Sequence, residues 1–101
     1  MDTELLLRNF LDEKKRLKQY PVKRKMKIYA LIYLAGKFES GRDYSQSEIN
    51  DILNDWSLFN DAATLRRELC DNRFLNRTSD GRTYRLEETQ PTPAELGIDS
   101  F

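Results

Sequence analysis

A chain of 101 residues and 12.0 kDa has room for one hydrophobic core, because chains rarely divide in two below roughly 200 residues. Its 39% hydrophobic and 34% charged residues give a globular rather than a disordered composition. The absence of histidine and the single cysteine, Cys70, exclude His-based triads, His-containing metal sites and an internal disulfide.

Formal net charge is zero, yet the charges are segregated. Residues 1–13 sum to −3, residues 14–27 carry eight bases and no acid, residues 28–72 sum to −4, residues 73–86 to +3, and residues 87–101 to −4. Two basic blocks around an acidic middle read either as phosphate-facing surfaces or as solvated charged faces. An unpaired thiol fits a reducing cytoplasm. The acidic start and a longest apolar run of eight residues, 28–35, predict neither a signal peptide nor a membrane span.

In chain order, residues 3–11 have helical apolar spacing with Thr3 as a candidate N-cap. A boundary is expected at Tyr20, because a residue before proline is pushed out of the α region, and Pro21 suits the first turn of a helix over residues 22–37 ended by Gly36 and Gly41. The middle of that helix, residues 28–35, is apolar nearly all round, so it needs cover on more than one side, from Leu5, Leu6, Leu7 and Phe10 or from a second subunit. Residues 42–44 read as a short extended piece. Ser45 and Glu48 have capping-box spacing for a helix carrying Ile49, Ile52, Leu53 and Trp56 on one side. Asn60 or Asp61 caps a third helix over residues 62–72 with Leu65 and Leu69 inward. Residues 74–78 and 83–86 then form two strands joined through Asp80-Gly81. The tail, residues 87–101, holds Pro91 and Pro93 and reads as loose acidic coil.

These elements predict a mainly α fold with a small β-hairpin: a winged helix-turn-helix over residues 21–86, preceded by an N-terminal helix and basic connector over residues 1–20. Residue detail extends this. Arg16-Leu17-Lys18-Gln19-Tyr20-Pro21, Lys23-Arg24-Lys25, Glu48-Ile49-Asn50, the run ATLRREL from Ala63 to Leu69, Phe74-Leu75, Asp80-Gly81 and Tyr84 resemble a bacterial domain family of unknown function, over about residues 10–86. The resemblance implies a winged helix and a regulatory setting, since some members are attached to arsenic-repressor-type transcription regulators. The family often has Gly-Arg where Lys15-Arg16 stands, a His near Leu58-Phe59, Tyr-Gly near Asn72-Arg73 and Trp at Arg85. The first of these departures implies a turn near Lys15 and a first helix ending near Leu11.

Three basic groups are candidate DNA contacts. On the third helix Thr64, Arg66 and Arg67 are placed to read base edges, an arginine fork matching guanine, although Asp61, Glu68 and Asp71 keep that helix neutral and Arg67 with Asp71 is also an ordinary i,i+4 pair. On the hairpin, Arg77 and Arg82, with Arg85, suit a phosphate clamp or the discouragement of edge pairing. At the second helix's start, Lys23, Arg24, Lys25 and Lys27 continue the basic run of Lys14, Lys15, Arg16 and Lys18. Catalytic, cofactor and metal sites are not expected. Glu48, Asp51 and Asp55 read as a solvated face, the four glycines fit no phosphate-binding loop, and Cys70 has no general base. The expected function is therefore a cytoplasmic DNA-binding or transcription-regulatory module acting on double-stranded DNA. A homodimer through the N-terminal segment is also expected. The alternative is a protein-interaction or dimerisation module that uses the fold without reading DNA.

Overall fold

The computed structural model describes residues 2–98. Helix α1 (Thr3–Leu6) runs into a 3-10 turn (Arg8–Phe10), and a connector leads to α2 (Arg24–Ala35). Strand β1 (Tyr44–Ser45) enters α3 (Gln46–Trp56), α4 (Ala62–Asp71) follows, and β2 (Leu75–Arg77) and β3 (Thr83–Leu86) form a hairpin. Among the described residues this gives four α-helices and one antiparallel sheet in the order β1-β3-β2. Tyr44 stands opposite Tyr84, and Leu75 opposite Leu86, so the short piece before α3 is a third strand of the sheet. No helix among the described residues is long and apolar enough to cross a membrane.

Local chemistry accounts for the well-defined starts. Ser45 Oγ accepts from the Glu48 N–H at 3.1 Å while Glu48 Oε1 accepts from the Ser45 N–H at 2.9 Å, so two otherwise orphaned donors at the start of α3 are satisfied reciprocally. The Asp61 carboxylate caps α4 by accepting from the Thr64 N–H. At the other end of α4, Arg73 N–H donates to Cys70 C=O and Phe74 N–H to Leu69 C=O, the paired bonds of a Schellman motif, with Arg73 left-handed at φ 66°. Phe74 and Leu69 are both buried, which supplies the apolar contact that closes such an ending.

Helices α1 and α2 each differ at both ends from what the sequence predicts. Asp2, not Thr3, caps α1, and regular helix stops at Leu6, because by Leu11 the chain is extended (φ −107°, ψ 145°) to bridge Leu17. Helix α2 begins at Arg24: Pro21 is buried ahead of it and Lys23 is extended at the cap with no side-chain bond. It ends at Ala35, with Gly36 in a right-handed conformation.

The core gathers Ile28, Leu31 and Leu34 of α2, Ile49 and Leu53 of α3, Leu65 and Leu69 of α4, and Phe74, Leu75, Tyr84 and Leu86 from the hairpin region. Helices α1 and α4 both pack on α2, and Leu6 and Phe10 add half-buried cover, so the apolar circumference of α2 is covered from within one chain except at half-buried Ile32.

The connector is structural as well as basic. Asp12 accepts from the backbone N–H groups of Lys14 and Arg16 and from the Arg16 guanidinium, and these bonds, the Arg16 N–H foremost, hold its carboxyl below the ordinary range. Lys15 sits at φ 66° at the apex of this turn. Leu17 then enters the core with no exposed surface, bridging Leu11 and Ser57.

The acidic tail forms neither helix nor strand, but its described part is fastened rather than loose. Gln90 donates to the Phe74 carbonyl, Thr92 and Glu95 cap one another, and Leu96 and Ile98 pack against the core. Residues 99–101 of that expectation lie outside the described residues.

Candidate nucleic-acid interface

Helix α4 buries Ala62, Leu65 and Leu69, and at 100° per residue the opposite face is Ala63, Arg67 and Asp71, all exposed. Its two flanks meet different neighbours. On one, Glu68 faces the hydroxyl of Tyr20 in the connector; burial foremost, and then this carboxylate, pushes the Tyr20 hydroxyl well above its ordinary value of 10.0. Lys27 lies 5.5 Å from the centre of the same Tyr20 ring, which brings the start of α2 to this side. On the other flank, Arg66 donates to Asn50 Oδ1 of α3. Cys70 beside it has its thiol pushed up by burial and by Asp71, against an opposing pull from Arg66 and from Arg77 of the hairpin. The exposed stripe of α4 therefore lies between the basic connector on one side and the hairpin on the other.

The candidate cations divide by what they already touch. Arg67 is exposed, and no ion pair joins it to Asp71, so the i,i+4 pairing that its spacing suggests is absent among the described residues. Arg66 is half-buried and held by Asn50, and Thr64 is half-buried with its N–H turned to Asp61. Of the three residues placed on α4 as base readers, only Arg67 presents an unengaged side chain to solvent.

On the hairpin, Asp80 organises the turn, accepting from the Thr78 hydroxyl at 2.6 Å and from the Arg82 N–H at 3.0 Å; the Thr78 bond foremost holds its carboxyl below the ordinary range. Gly81 adopts φ 73°, a left-handed conformation that favours glycine; a Cβ there would stand 2.7 Å from the far end of the flexible Arg77 side chain. Arg77 is tied down, its Nε donating to the Gly81 carbonyl at 3.2 Å, while Arg82 projects at the tip with no side-chain partner. Arg85 is neutralised by Asp43, at 2.7–2.8 Å from two of its nitrogens.

At the α2 start, Lys23 is exposed at the cap and Arg24 donates to the Leu96 carbonyl at 2.8 Å. The Lys25 ammonium lies 6.0 Å from the Tyr29 ring centre, and Lys27 is half-buried over Tyr20. The first turn contains no acid, so the positive end of the helix dipole and these cations reinforce one another.

Sequence spacing cannot reveal the pairings Arg24 with Leu96, Asp43 with Arg85, or Asn50 with Arg66, because they are tertiary. They leave Lys23, Arg67 and Arg82 as the most available positive groups of the candidate set, one on each side of the α4 stripe and one on it. No curated protein and no solved structure matches the chain at a significant level. The model of a family described as uncharacterized protein conserved in bacteria, DUF2087, matches residues 16–86, from the Asp12 turn through the end of β3. With most of the chain matched, this protein belongs to the DUF2087 family.

Proposed function

We propose that this chain is a winged-helix module that binds double-stranded DNA in a transcription-regulatory role. The observation that carries the reading is the position of Arg67: exposed and unengaged on the outward stripe of α4, with the basic start of α2 on one flank and the hairpin on the other. In this reading α3 and α4 form the helix-turn-helix, the β2–β3 hairpin is the wing, and α4 lies along the major groove. Lys23 and Arg82 neutralise phosphates on either side, a sequence-independent contribution, and Arg67 supplies the base contact. Asp71 beside Arg67 keeps the stripe near neutral, so backbone contacts carry most of the affinity.

The test is a salt titration of binding to random duplex DNA with the full chain. Two to four phosphate contacts predict a logarithmic salt slope of about −2 to −4, at about −0.9 per contact on B-form DNA. Undetectable binding even at about 50 mM salt, where counterion release favours association, overturns the DNA reading.

The alternative, a protein-interaction module, is favoured by a separate observation, an exposed apolar cleft where the connector meets α2. A dimer formed to cover α2 gains no support, because α2 is covered within one chain except at half-buried Ile32.

A further inference from the structure

A cleft of about 440 Å³ opens between the end of the 3-10 turn and the start of α2. Its walls are Phe10, Pro21, Val22 and Met26, with Gln19 and Lys23 at the rim. Val22 is 88% exposed, the most exposed large apolar side chain among the described residues, whereas Phe10 and Met26 are half-buried and already seated against the core. Covering this side chain would gain up to about 1.5–3 kcal/mol, the worth of fully burying a valine.

The rim is cationic and uncompensated. Lys23 lines the cleft, and the backbone N–H of the exposed Lys18 donates to the carbonyl of Phe10, one of its walls, at 2.7 Å. Neither lysine takes part in an ion pair among the described residues; the one pair within residues 14–27 is Arg16 with Asp12. The apolar walls therefore select an apolar side chain, and the unpaired lysines nearby select carboxylates next to it. A duplex offers phosphates but no apolar group that projects from its backbone, and the walls offer aliphatic surface rather than an open aromatic face on which a base would stack.

We infer that this cleft docks an acidic peptide segment of a partner protein, one aliphatic side chain entering between Val22 and Met26 while flanking carboxylates meet Lys18 and Lys23. The site lies outside the α4 stripe and shares only Lys23 with the DNA reading, so Val22, which that reading does not use, separates the two.

The test is fluorescence anisotropy with the full chain and a labelled peptide that alternates glutamate with leucine, compared with a glutamate-only peptide of equal charge. The mixed peptide is expected to bind at least about tenfold more tightly at about 0.1 M salt, where free-charge attraction is largely screened. Val22→Asn, at an exposed position that leaves folding intact, is expected to weaken the mixed peptide about tenfold while the melting temperature and duplex binding stay as in wild type. Lys18→Glu with Lys23→Glu is expected to abolish peptide binding. Equal binding of the two peptides, or an unchanged affinity in Val22→Asn, overturns the inference. So does sedimentation showing a dimer that Val22→Asn dissolves, since the occupant is then a second copy. Loss of duplex binding in Val22→Asn also overturns it, by assigning the cleft to the DNA footprint.

Discussion

The hydroxyl of Tyr33, in α2, donates to the backbone carbonyl of Lys15 at 2.6 Å, so the left-handed apex of the connector turn is fixed to the most enclosed helix of the core. The connector thus carries its basic side chains on a rigid frame, and the frame depends on a neutral tyrosine.

That dependence predicts an alkaline limb of stability. Tyr33 is pushed above its ordinary 10.0 by burial, and further by Glu4 and Asp12, and Tyr20 is pushed up by burial and Glu68. Both folded-state values stand above the unfolded ones. The stability each hydroxyl contributes is therefore intact below about pH 10 and is lost as pH rises past it. Urea unfolding at stepped pH should show a decline beginning near pH 10, and the double replacement Tyr20→Phe with Tyr33→Phe should flatten it. Tyr33→Phe alone should cost about 1 kcal/mol at neutral pH, through the lost bond to Lys15. An alkaline limb that persists in the double variant refutes the assignment.

Arg73 and Lys15 each hold a side chain at φ 66°, a conformation that costs an L-residue roughly 1–2 kcal/mol. Arg73→Gly and Lys15→Gly should relieve it and, after the greater freedom of glycine in the unfolded chain is subtracted, raise stability by about 0.5–1 kcal/mol each. Chemical denaturation gives the comparison. A loss of stability in Arg73→Gly means that the arginine side chain makes a compensating contact.

Leu17→Ala is the test of whether the connector belongs to the core. Leu17 has no exposed surface and sits between Leu11 and Ser57, with its N–H on the Trp56 carbonyl at 2.8 Å. Removing its side chain should cost about 2–5 kcal/mol and leave a cavity. A loss below about 1 kcal/mol indicates that the connector detaches readily from the helical body.

For DNA, Arg82→Ala and Lys23→Ala should each weaken binding to every sequence and reduce the salt slope by about one contact's share. Arg67→Ala should change which sequences are preferred, by about 1–3 kcal/mol at one position. Arg66→Ala should act chiefly through stability, because its guanidinium is held by Asn50 within the helix pair. A selection from randomised duplexes that returns the same preference for wild type and Arg67→Ala excludes Arg67 as the reader.

What the sequence determined by itself lies within a few residues of each signal. The Ser45–Glu48 box, the Asp61 cap, the Asp80-Gly81 turn and the inward Leu65 and Leu69 are local, since a cap acts over three residues and helical periodicity over four. Tertiary structure alone decided which charges are engaged. Arg24 meets Leu96 across 72 residues and Arg85 meets Asp43 across 42, separations that leave no periodic trace in the chain. It also decided that Leu17, in the middle of the most basic stretch, is core, and that Val22, beside a buried proline, is bare. Burial of an isolated apolar residue depends on which surfaces fold over it, and that is set by the packing of α1, α2 and α3 rather than by the residue's neighbours in sequence.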